Sequence, residues 1–451
     1  MDTRKLVLLA GDVLSLYLAL ITVLFIRYRG AEGDLLIPQH ALPFTILFLC
    51  WIVIFHVNGL YELRRIRNDA VFLRRLGIAM AANAAIAVFV FYLVPLFGIQ
   101  PRLNLFGVVA ASVFYIFVWR TLARILLHAV RRESVLFLGV SDEAVELAEY
   151  LQVNSQFGYR IHGLMRLPDE KAAITPLPFF EHQDSLKEFI QKERVSLVVV
   201  SPALEKDPEL LRPLIDVIKF GVAIRSLHRF YEEVMGKIPV SIITEGWFLE
   251  NSFAAERRIF DRAKRLVDIV VGTIFLIPLG VAVVIFGPLI KMDSSGPIFY
   301  KQRRVGRYGR EFVIYKFRSM VVDAEALGAA WASENDPRVT RFGKFLRKSR
   351  LDELPQVVSI IKGDLSFVGP RPERPEFVNQ LRGMLKFYDV RHIVVPGLAG
   401  WAQINFPYGA SVEDALAKLQ YDLFYVKNRS IALDLTILLK TIVVLLSHQG
   451  R

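Results

Sequence analysis

The stretch Arg350-Leu351-Asp352-Glu353-Leu354-Pro355-Gln356 places two adjacent carboxylates at the end of a cationic segment. Pro355 suits the first turn of a helix and Gly363 the position just past its end, which predicts a short helix over 355–362. The free N–H groups of such a helix start attract phosphate. A solvated, salt-bridged surface helix is the alternative. Nearby cations should favour the ionised form of both acids; they are Arg338, Arg341, Lys344, Arg347, Lys348 and Arg350.

The composition of the whole chain indicates a membrane protein. Hydrophobic residues make up 53% of the 451 residues, and the mean hydropathy is +0.39. This length allows two or three domains. A net charge of +12 predicts an anionic partner, either lipid headgroups or a phosphorylated substrate, and the membrane segments argue against nucleic acid. The one cysteine, Cys50, excludes a disulfide framework and a cysteine zinc site.

Four apolar segments fill the first third of the chain, at residues 6–26, 42–57, 76–97 and 105–127. Each is close to the ~20 residues that a helix needs to cross a bilayer core, so residues 1–132 are predicted to form a four-helix transmembrane bundle. Arginines concentrate after the second segment and toward the end of the fourth, which places both ends of the bundle in the cytoplasm by the positive-inside rule. These arginines are Arg64, Arg65, Arg67, Arg74, Arg75, Arg120, Arg124, Arg131 and Arg132.

The next segment, residues 133–245, alternates strand and helix patterns and predicts a Rossmann-like α/β domain with a largely parallel sheet. Strands are predicted at 134–140, 159–165, 195–201 and 222–226, and helices at 143–152, 185–193 and 208–220. The turn Gly139-Val140-Ser141-Asp142-Glu143-Ala144 retains one of the three glycines of a dinucleotide fingerprint and carries two acids. We therefore expect no nucleotide cofactor in this domain.

A connector at 246–262 carries the aromatic cluster around Trp247, for which core packing and contact with a partner chain are both open. The apolar run 266–290 follows, with cations on both flanks and Pro278 near its middle. A straight span would carry the cationic region 300–350 across the membrane, against the positive-inside bias. The alternative, which we favour, is a re-entrant helix broken at Pro278 that enters and leaves on one face.

The remaining residues, 263–451, are predicted to form a third domain. Residues 312–320 alternate as a strand that places Lys316 and Arg318 on one face. The turn Gly369-Pro370-Arg371-Pro372 would fix Arg371 for a phosphate contact. The tail at 431–446 is short for a span and predicts an interfacial helix, with a packed core helix as the alternative.

Five motifs occur in order over this domain, and together they resemble those of the bacterial sugar transferases, the monotopic polyprenyl-phosphate phosphoglycosyl transferases. The membrane bundle and α/β domain ahead of them resemble the long subgroup of this family. The motifs are Lys301-Gln302-Arg303-Arg304-Val305-Gly306, Tyr315-Lys316-Phe317-Arg318-Ser319-Met320, Leu351-Asp352-Glu353-Leu354-Pro355-Gln356, Lys362-Gly363-Asp364 through Pro372, and Pro396-Gly397 through Gly400-Trp401-Ala402-Gln403-Ile404-Asn405.

The resemblance implies transfer of hexose 1-phosphate from a UDP-sugar to undecaprenyl phosphate with release of UMP, as the first membrane step of exopolysaccharide, O-antigen or capsule synthesis. It implies that Asp352 is the nucleophile and holds Mg²⁺, with Glu353 as its partner. The expected substrate-binding residues are Arg347, Arg371, Lys316, Arg318 and Arg303. It places the protein in the bacterial inner membrane, with Pro278 as the re-entrant kink and the catalytic domain on the cytoplasmic face.

Two features limit what the resemblance implies. After Asn405 the family often has a glycine and a nearby arginine, whereas here Phe406-Pro407-Tyr408-Gly409 follows, so an arginine contact from this loop is in doubt. No residue identifies the transferred hexose. A homodimer through the α/β domain and the Trp247 cluster is one possible assembly.

The sequence argues against two other functional classes. A membrane-bound nucleotide-sugar dehydratase would need a Tyr-x-x-x-Lys pair, and none of the 15 tyrosines has lysine four residues on. A non-catalytic scaffold or regulator of polysaccharide assembly would leave the order of motifs around Asp352 unexplained.

Overall fold

The structure is a computed structural model that describes residues 3–28, 32–61, 70–93, 102–129, 133–154, 157–167, 170, 175–181, 186–202, 204, 214–250, 258–322, 336–406 and 411–446. Its contacts divide the chain into two compact units, Met1–Leu227 and His228–Arg451. The predicted boundary at 245 lies after this division. Some residues used in the predictions lie outside the described residues. They are the arginines at 64, 65, 67, 131 and 132 and the loop 407–409.

The first unit begins with four long helices that correspond to the four predicted apolar segments. They are α1 (Thr3–Arg27), α2 (Glu32–Val57), α3 (Ala70–Val88, continued by a π-helical turn at Phe89–Leu93) and α4 (Arg102–Ala129). All four contribute to one hydrophobic core. Within the described residues, these four and a fifth helix in the second unit are long and apolar enough to cross a membrane.

A buried ion pair joins the first and fourth helices. The Arg120 guanidinium donates to both carboxylate oxygens of Asp12, at 3.1 and 2.5 Å, and to the Leu60 carbonyl at 2.8 Å. An unpaired charge in this apolar interior would be costly, so the mutual pairing fixes the relative position of α1 and α4.

The α/β part of this unit has a five-stranded parallel sheet in the order β3-β2-β1-β4-β5. Its elements are β1 (Glu133–Leu138), α5 (Asp142–Val153), β2 (Tyr159–Met165), β3 (Phe179–Phe180), α6 (Leu186–Lys192), β4 (Leu197–Val200) and β5 (Ala223–Ser226). The four predicted strands are present. Strand β3 was missed because two residues are too few to show an alternating pattern.

The turn after β1 holds an internal carboxylate where a dinucleotide fold would place a phosphate. The Val140 N–H donates to Glu170 Oε2 at 2.8 Å, and the Leu167 N–H donates to the same oxygen at 3.1 Å. Gly139 adopts a φ of 98°, which suits glycine. The absence of a nucleotide cofactor stays a prediction, for which this arrangement gives a physical reason.

The second unit contains the helices α7 (which begins in the first unit, Leu227–Met235), α8 (Glu245–Glu250), α9 (Arg258–Asp293), α10 (Arg341–Ser349), α11 (Val357–Lys362), α12 (Pro375–Met384), α13 (Trp401–Asn405), α14 (Val412–Asn428) and α15 (Ile431–Leu446). An antiparallel hairpin pairs β6 (Phe299–Val305) with β7 (Glu311–Phe317), and a short parallel pair joins β8 (Ser366–Val368) to β9 (Gly397–Ala399).

Helix α9 is longer than the predicted apolar run and continues through Pro278 without interruption. The helix is therefore not interrupted at Pro278, contrary to the predicted break there. The re-entrant path stays a prediction.

Residues 228–248 pack on the rest of the second unit. The Trp401 Nε1–H donates to the Gly236 carbonyl at 2.8 Å, and Glu232 accepts from Lys427 and Asn428 at 2.6 and 2.7 Å. Trp247 lies in a hydrophobic core shared with α12 and α14. Core packing is therefore the observed role of Trp247.

Candidate active site

The two acids of the central motif lie in a 3-10 turn, Leu351–Gln356, that leads directly into α11. Arg350 ends the preceding helix in the left-handed region with φ 58°, which turns the chain sharply before Asp352. Gly363 ends α11 with φ 98°, as predicted. The α-helix begins at Val357, two residues after the predicted start, and the acids precede it as predicted, although they themselves lie in the 3-10 turn.

Glu353 is held by two cations from distant parts of the sequence. Its Oε1 accepts from Lys316 Nζ at 2.8 Å and from Arg371 Nη2 at 2.8 Å, and its side chain is 11% exposed. Burial alone would raise the pKa of Glu353, but the charges of Arg371 and Lys316 outweigh burial and hold the pKa well below its usual range. Glu353 is thus a fixed anion that orients two cations.

Asp352 lies beside this cluster in a different environment. The residue is 8% exposed, and its Oδ1 is buried without a hydrogen-bond partner in the structure. Burial raises the pKa of Asp352, although the charge of Lys316 opposes this, and Glu353 raises the pKa further. The predicted cations Arg347 and Arg350 do lower the pKa of Asp352, but burial outweighs them. The cations that keep Glu353 ionised, Arg371 and Lys316, lie outside the predicted cationic run. This buried carboxylate oxygen of Asp352 therefore has an unused capacity to accept a hydrogen bond or to bind a cation.

The five predicted substrate-binding cations fall into different places. Lys316 and Arg371 contact Glu353, and Arg347 donates through Nε to Ser319 Oγ at 3.0 Å while its charge lowers the pKa of Asp352. Arg318 is buried and donates to the Ile290 and Ser294 carbonyls at the end of α9, at 3.2 and 2.6 Å. Arg303 is exposed on the hairpin face opposite Lys316, 3.7 Å from Glu311. Their role in substrate binding stays a prediction.

Two arginines that were not predicted as site residues, the buried Arg391 and the partly buried Arg304, hold the backbone of the Arg371 turn. Arg391 donates to the Arg371 carbonyl at 2.9 Å and to Asp422 at 2.7 Å. Arg304 donates to the Pro372 carbonyl at 2.9 Å. The signal for Asp422 was present in the sequence, because it is a lone acid among the aromatic residues of 421–425.

Close backbone contacts fix the same turn from the other side. The Gly369 N–H donates to the Ala399 carbonyl at 2.8 Å, and the Gly397 N–H donates to the Pro370 carbonyl at 2.9 Å. A Cβ on Gly397 would overlap the backbone of Gly369. The predicted rigidity of this turn therefore rests on the 396–400 loop as well as on its prolines.

The donor set at the acids suits a magnesium ion that also binds substrate. Among the described residues no group of three His, Cys, Asp or Glu side chains could hold a metal. Mg²⁺ commonly uses one or two carboxylates together with substrate phosphates. The partnerless Oδ1 of Asp352 provides one such oxygen, whereas Glu353 Oε1 is already occupied by two cations.

The residues of this site lie within a part of the chain that matches a known family. Residues 259–448 match the model of the family described as bacterial sugar transferase. The chain is 33% identical over 354 residues to the UDP-glucose:undecaprenyl-phosphate glucose-1-phosphate transferase of Xanthomonas campestris pv. campestris. The aligned residues make up 73% of this chain and 71% of that protein. The chain belongs to the bacterial sugar transferase family.

Other relatives match over shorter parts of the chain. A UDP-N-acetylgalactosamine-undecaprenyl-phosphate N-acetylgalactosaminephosphotransferase of Aeromonas hydrophila is 46% identical over 177 residues, 38% of this chain and 42% of that protein. The UDP-glucose:undecaprenyl-phosphate glucose-1-phosphate transferase of Escherichia coli (strain K12) is 34% identical over 229 residues, 50% of this chain and 47% of that protein. The chain thus spans less than half the length of these two relatives. The predicted family is confirmed, and the predicted enzyme class, a phosphoglycosyl transferase, agrees with the relatives' names.

Proposed function

We propose that this bacterial sugar transferase moves hexose 1-phosphate from a UDP-hexose to undecaprenyl phosphate through a covalent intermediate on Asp352. The proposal rests on two adjacent carboxylates that lie in different environments. Asp352 has a buried oxygen with no partner, and Glu353 beside it is fixed by Lys316 and Arg371. A scaffold protein has no need of such a desolvated acid, because burying an unpartnered polar atom costs stability.

The reaction would take place in two displacements. An ionised oxygen of Asp352 attacks the β-phosphorus of the donor, which forms an acyl phosphate bond and breaks the bond between that phosphorus and the bridging oxygen, so that UMP leaves. A phosphate oxygen of the acceptor then attacks the same phosphorus and breaks the acyl phosphate bond. This second step regenerates the Asp352 carboxylate and leaves a diphosphate-linked lipid.

The neighbouring residues would prepare both steps by charge and position. Arg371 and Lys316 are the cations nearest the acids that the structure holds in fixed positions, and they would bind the donor phosphates. Arg391 and Arg304 hold the backbone of the Arg371 turn, which restricts where the Arg371 guanidinium can lie. Mg²⁺ bound by Asp352 and the phosphates would neutralise phosphate charge.

We further propose that α9 enters and leaves the membrane on the cytoplasmic face. The helix has 36 residues, which is about 54 Å if it is straight. Near its start Lys264 pairs with Asp434 at 2.5 Å, and at its end Asp293 accepts from the Phe342 N–H at 2.8 Å. Both partners belong to one folded unit, so a span would require that unit on both sides of the bilayer. This favours a re-entrant path, which would hold the acids at the surface of the inner membrane where the lipid acceptor lies.

The covalent step can be tested by intact mass. The purified protein is incubated with Mg²⁺ and a panel of UDP-sugars without lipid acceptor. We expect a gain of one hexose phosphate with the correct donor, which also names the sugar, and loss of this gain in Asp352→Asn. Asp389→Asn is the matched control, because Asp389 is an exposed carboxylate paired with Arg382.

A mass gain that persists in Asp352→Asn would refute the assigned nucleophile. No gain with any donor, together with no UMP release when undecaprenyl phosphate is added, would favour the alternative of a scaffold or regulator of polysaccharide assembly.

A further inference from the structure

A pocket of about 200 Å³ lies beside the first turns of α9, apart from the acid pair. Its lining includes four cations and two carboxylates, and neither acid of the active site nor the cations bound to Glu353 belong to it. The charged lining residues are Lys264, Arg265, Arg307, Arg429, Asp261 and Asp268.

The cations of this pocket exceed the carboxylates that face them. Arg429 pairs with Asp261 at 3.3 Å, while the Asp268 carboxylate accepts from the Phe367 N–H. Arg265 donates to the Ile360 and Ile361 carbonyls, which are neutral groups. Lys264 forms an ion pair with Asp434, a third carboxylate that is not part of the lining. The surplus positive charge should attract an anion.

Arg307 is the cation with the most free capacity. It is exposed, and in the described part of the chain its hydrogen bond is from Nε to the Ile393 carbonyl at 3.1 Å. Its two terminal nitrogens can therefore bind a phosphate in a bidentate manner, which is the geometry that guanidinium groups favour.

The size of the pocket restricts the ligand. Pockets for drug-sized ligands usually occupy about 300–1,000 Å³, so this one is too small to enclose a whole nucleotide sugar. It suits a single phosphate group or the headgroup that carries it.

Apolar side chains around the pocket indicate what such a phosphate would be attached to. Leu266, Val267 and Val270 of α9 are exposed beside the lining residues Lys264, Arg265 and Asp268. Ile431 and Leu435 of α15 are also exposed, and this helix is tied to α9 by the pair of Asp434 with Lys264. A ligand with a phosphate and acyl chains would satisfy both parts of this surface.

We propose that this pocket binds the phosphate of an anionic phospholipid at the point where α9 enters the membrane. Its lining contains neither Asp352 nor Glu353 and neither of the cations that hold Glu353. It would fix the depth of the catalytic domain at the membrane surface through one bound lipid.

The test measures lipid retention on the full-length protein. Protein in phosphatidylcholine nanodiscs is titrated with fluorescent phosphatidylglycerol, and bound lipid is counted by native mass spectrometry. We expect affinity for phosphatidylglycerol to fall about fivefold in Arg307→Gln, the effect of one basic residue near an anionic surface. Arg307→Lys should retain most of the affinity. Arg382→Gln is the control, because Arg382 is a partly exposed arginine paired with Asp389 that is not part of the lining.

Equal affinity in Arg307→Gln and the wild-type protein would overturn the proposal, as would an equal loss in Arg382→Gln, which would indicate attraction by net charge alone. In a second arm, inorganic phosphate replaces the lipid. If inorganic phosphate raises the melting temperature in phosphatidylcholine nanodiscs as much as phosphatidylglycerol does, the ligand is free phosphate and the lipid assignment is wrong. Because this experiment measures lipid binding, its outcome is independent of the mass gain expected at Asp352.

Discussion

Replacing Glu353 by glutamine should destabilise the second unit markedly, because the change leaves two cations facing each other without their shared anion. Removing one partner of a buried ion pair costs about 3–5 kcal/mol. Here the lower end applies, since Lys316 and Arg371 are 17% and 27% exposed and so partly hydrated. A loss of about 3 kcal/mol lowers the melting temperature of a domain of this size by about 6–12 °C.

The assay is thermal unfolding in lipid nanodiscs, followed by tryptophan fluorescence, for the wild-type protein and two variants. The matched control is Glu376→Gln, which removes a carboxylate that is 62% exposed and 3.4 Å from Arg374. An exposed pair contributes about 0–1 kcal/mol, so the control should melt within about 4 °C of the wild-type protein. If both variants melt at the same temperature, Glu353 is not the anion that holds the two cations.

The same pair predicts how stability depends on pH. The pKa of Glu353 in the folded protein lies well below its ordinary value. Its contribution to stability is therefore fully present above the pKa of the unfolded chain and is lost as the pH falls through the folded pKa. As the pH is lowered below about 4.5, the difference in melting temperature between the wild-type protein and Glu353→Gln should shrink. A difference that stays constant with acidification would contradict the assigned pKa shift.

Two further predictions test the Arg371 turn and the path of α9. Gly397→Ala should cost about 1–3 kcal/mol, because the new methyl group overlaps the Gly369 backbone, and should slow turnover by moving Arg371; Gly383→Ala, where a Cβ meets nothing within 4 Å, should gain about 0.5–1 kcal/mol as a helix substitution. Equal melting temperatures of the two variants would refute the packing argument. A tag after Arg451 should be protected from protease added to spheroplasts, whereas cleavage from outside would exclude the re-entrant path.

Much of the fold could be predicted because its signals are local. A run of apolar residues long enough to cross a bilayer shows α1 and α4 within a few residues of their observed ends. Strand β2 was predicted at its observed bounds, since a short β-rich run between turn residues marks its ends. The start of α11 was misplaced because proline tolerates both the 3-10 turn and the first turn of an α-helix, so Pro355 does not distinguish them.

The site was predicted less completely because its contacts join distant parts of the chain. The acids were found from their motif, yet nothing local shows that Arg318 turns toward the end of α9 and away from the acids. The partnership of Arg391 with Asp422 likewise depends on how α14 packs. A charge in an apolar segment indicates burial with a partner, but the sequence does not say which partner.

The opposite protonation tendencies of two adjacent acids follow from this long-range geometry. Glu353 receives both nearby hydrogen-bonding cations on one oxygen, so its charge is compensated and it remains an anion. Asp352 is buried next to it with less compensation, and each added negative neighbour raises its pKa. The fixed anion therefore makes the other carboxylate a stronger base and, once ionised, a poorly solvated one. The positive charge of Mg²⁺ arriving with the donor would stabilise the ionised Asp352, which would tie the reactivity of the proposed nucleophile to the presence of substrate.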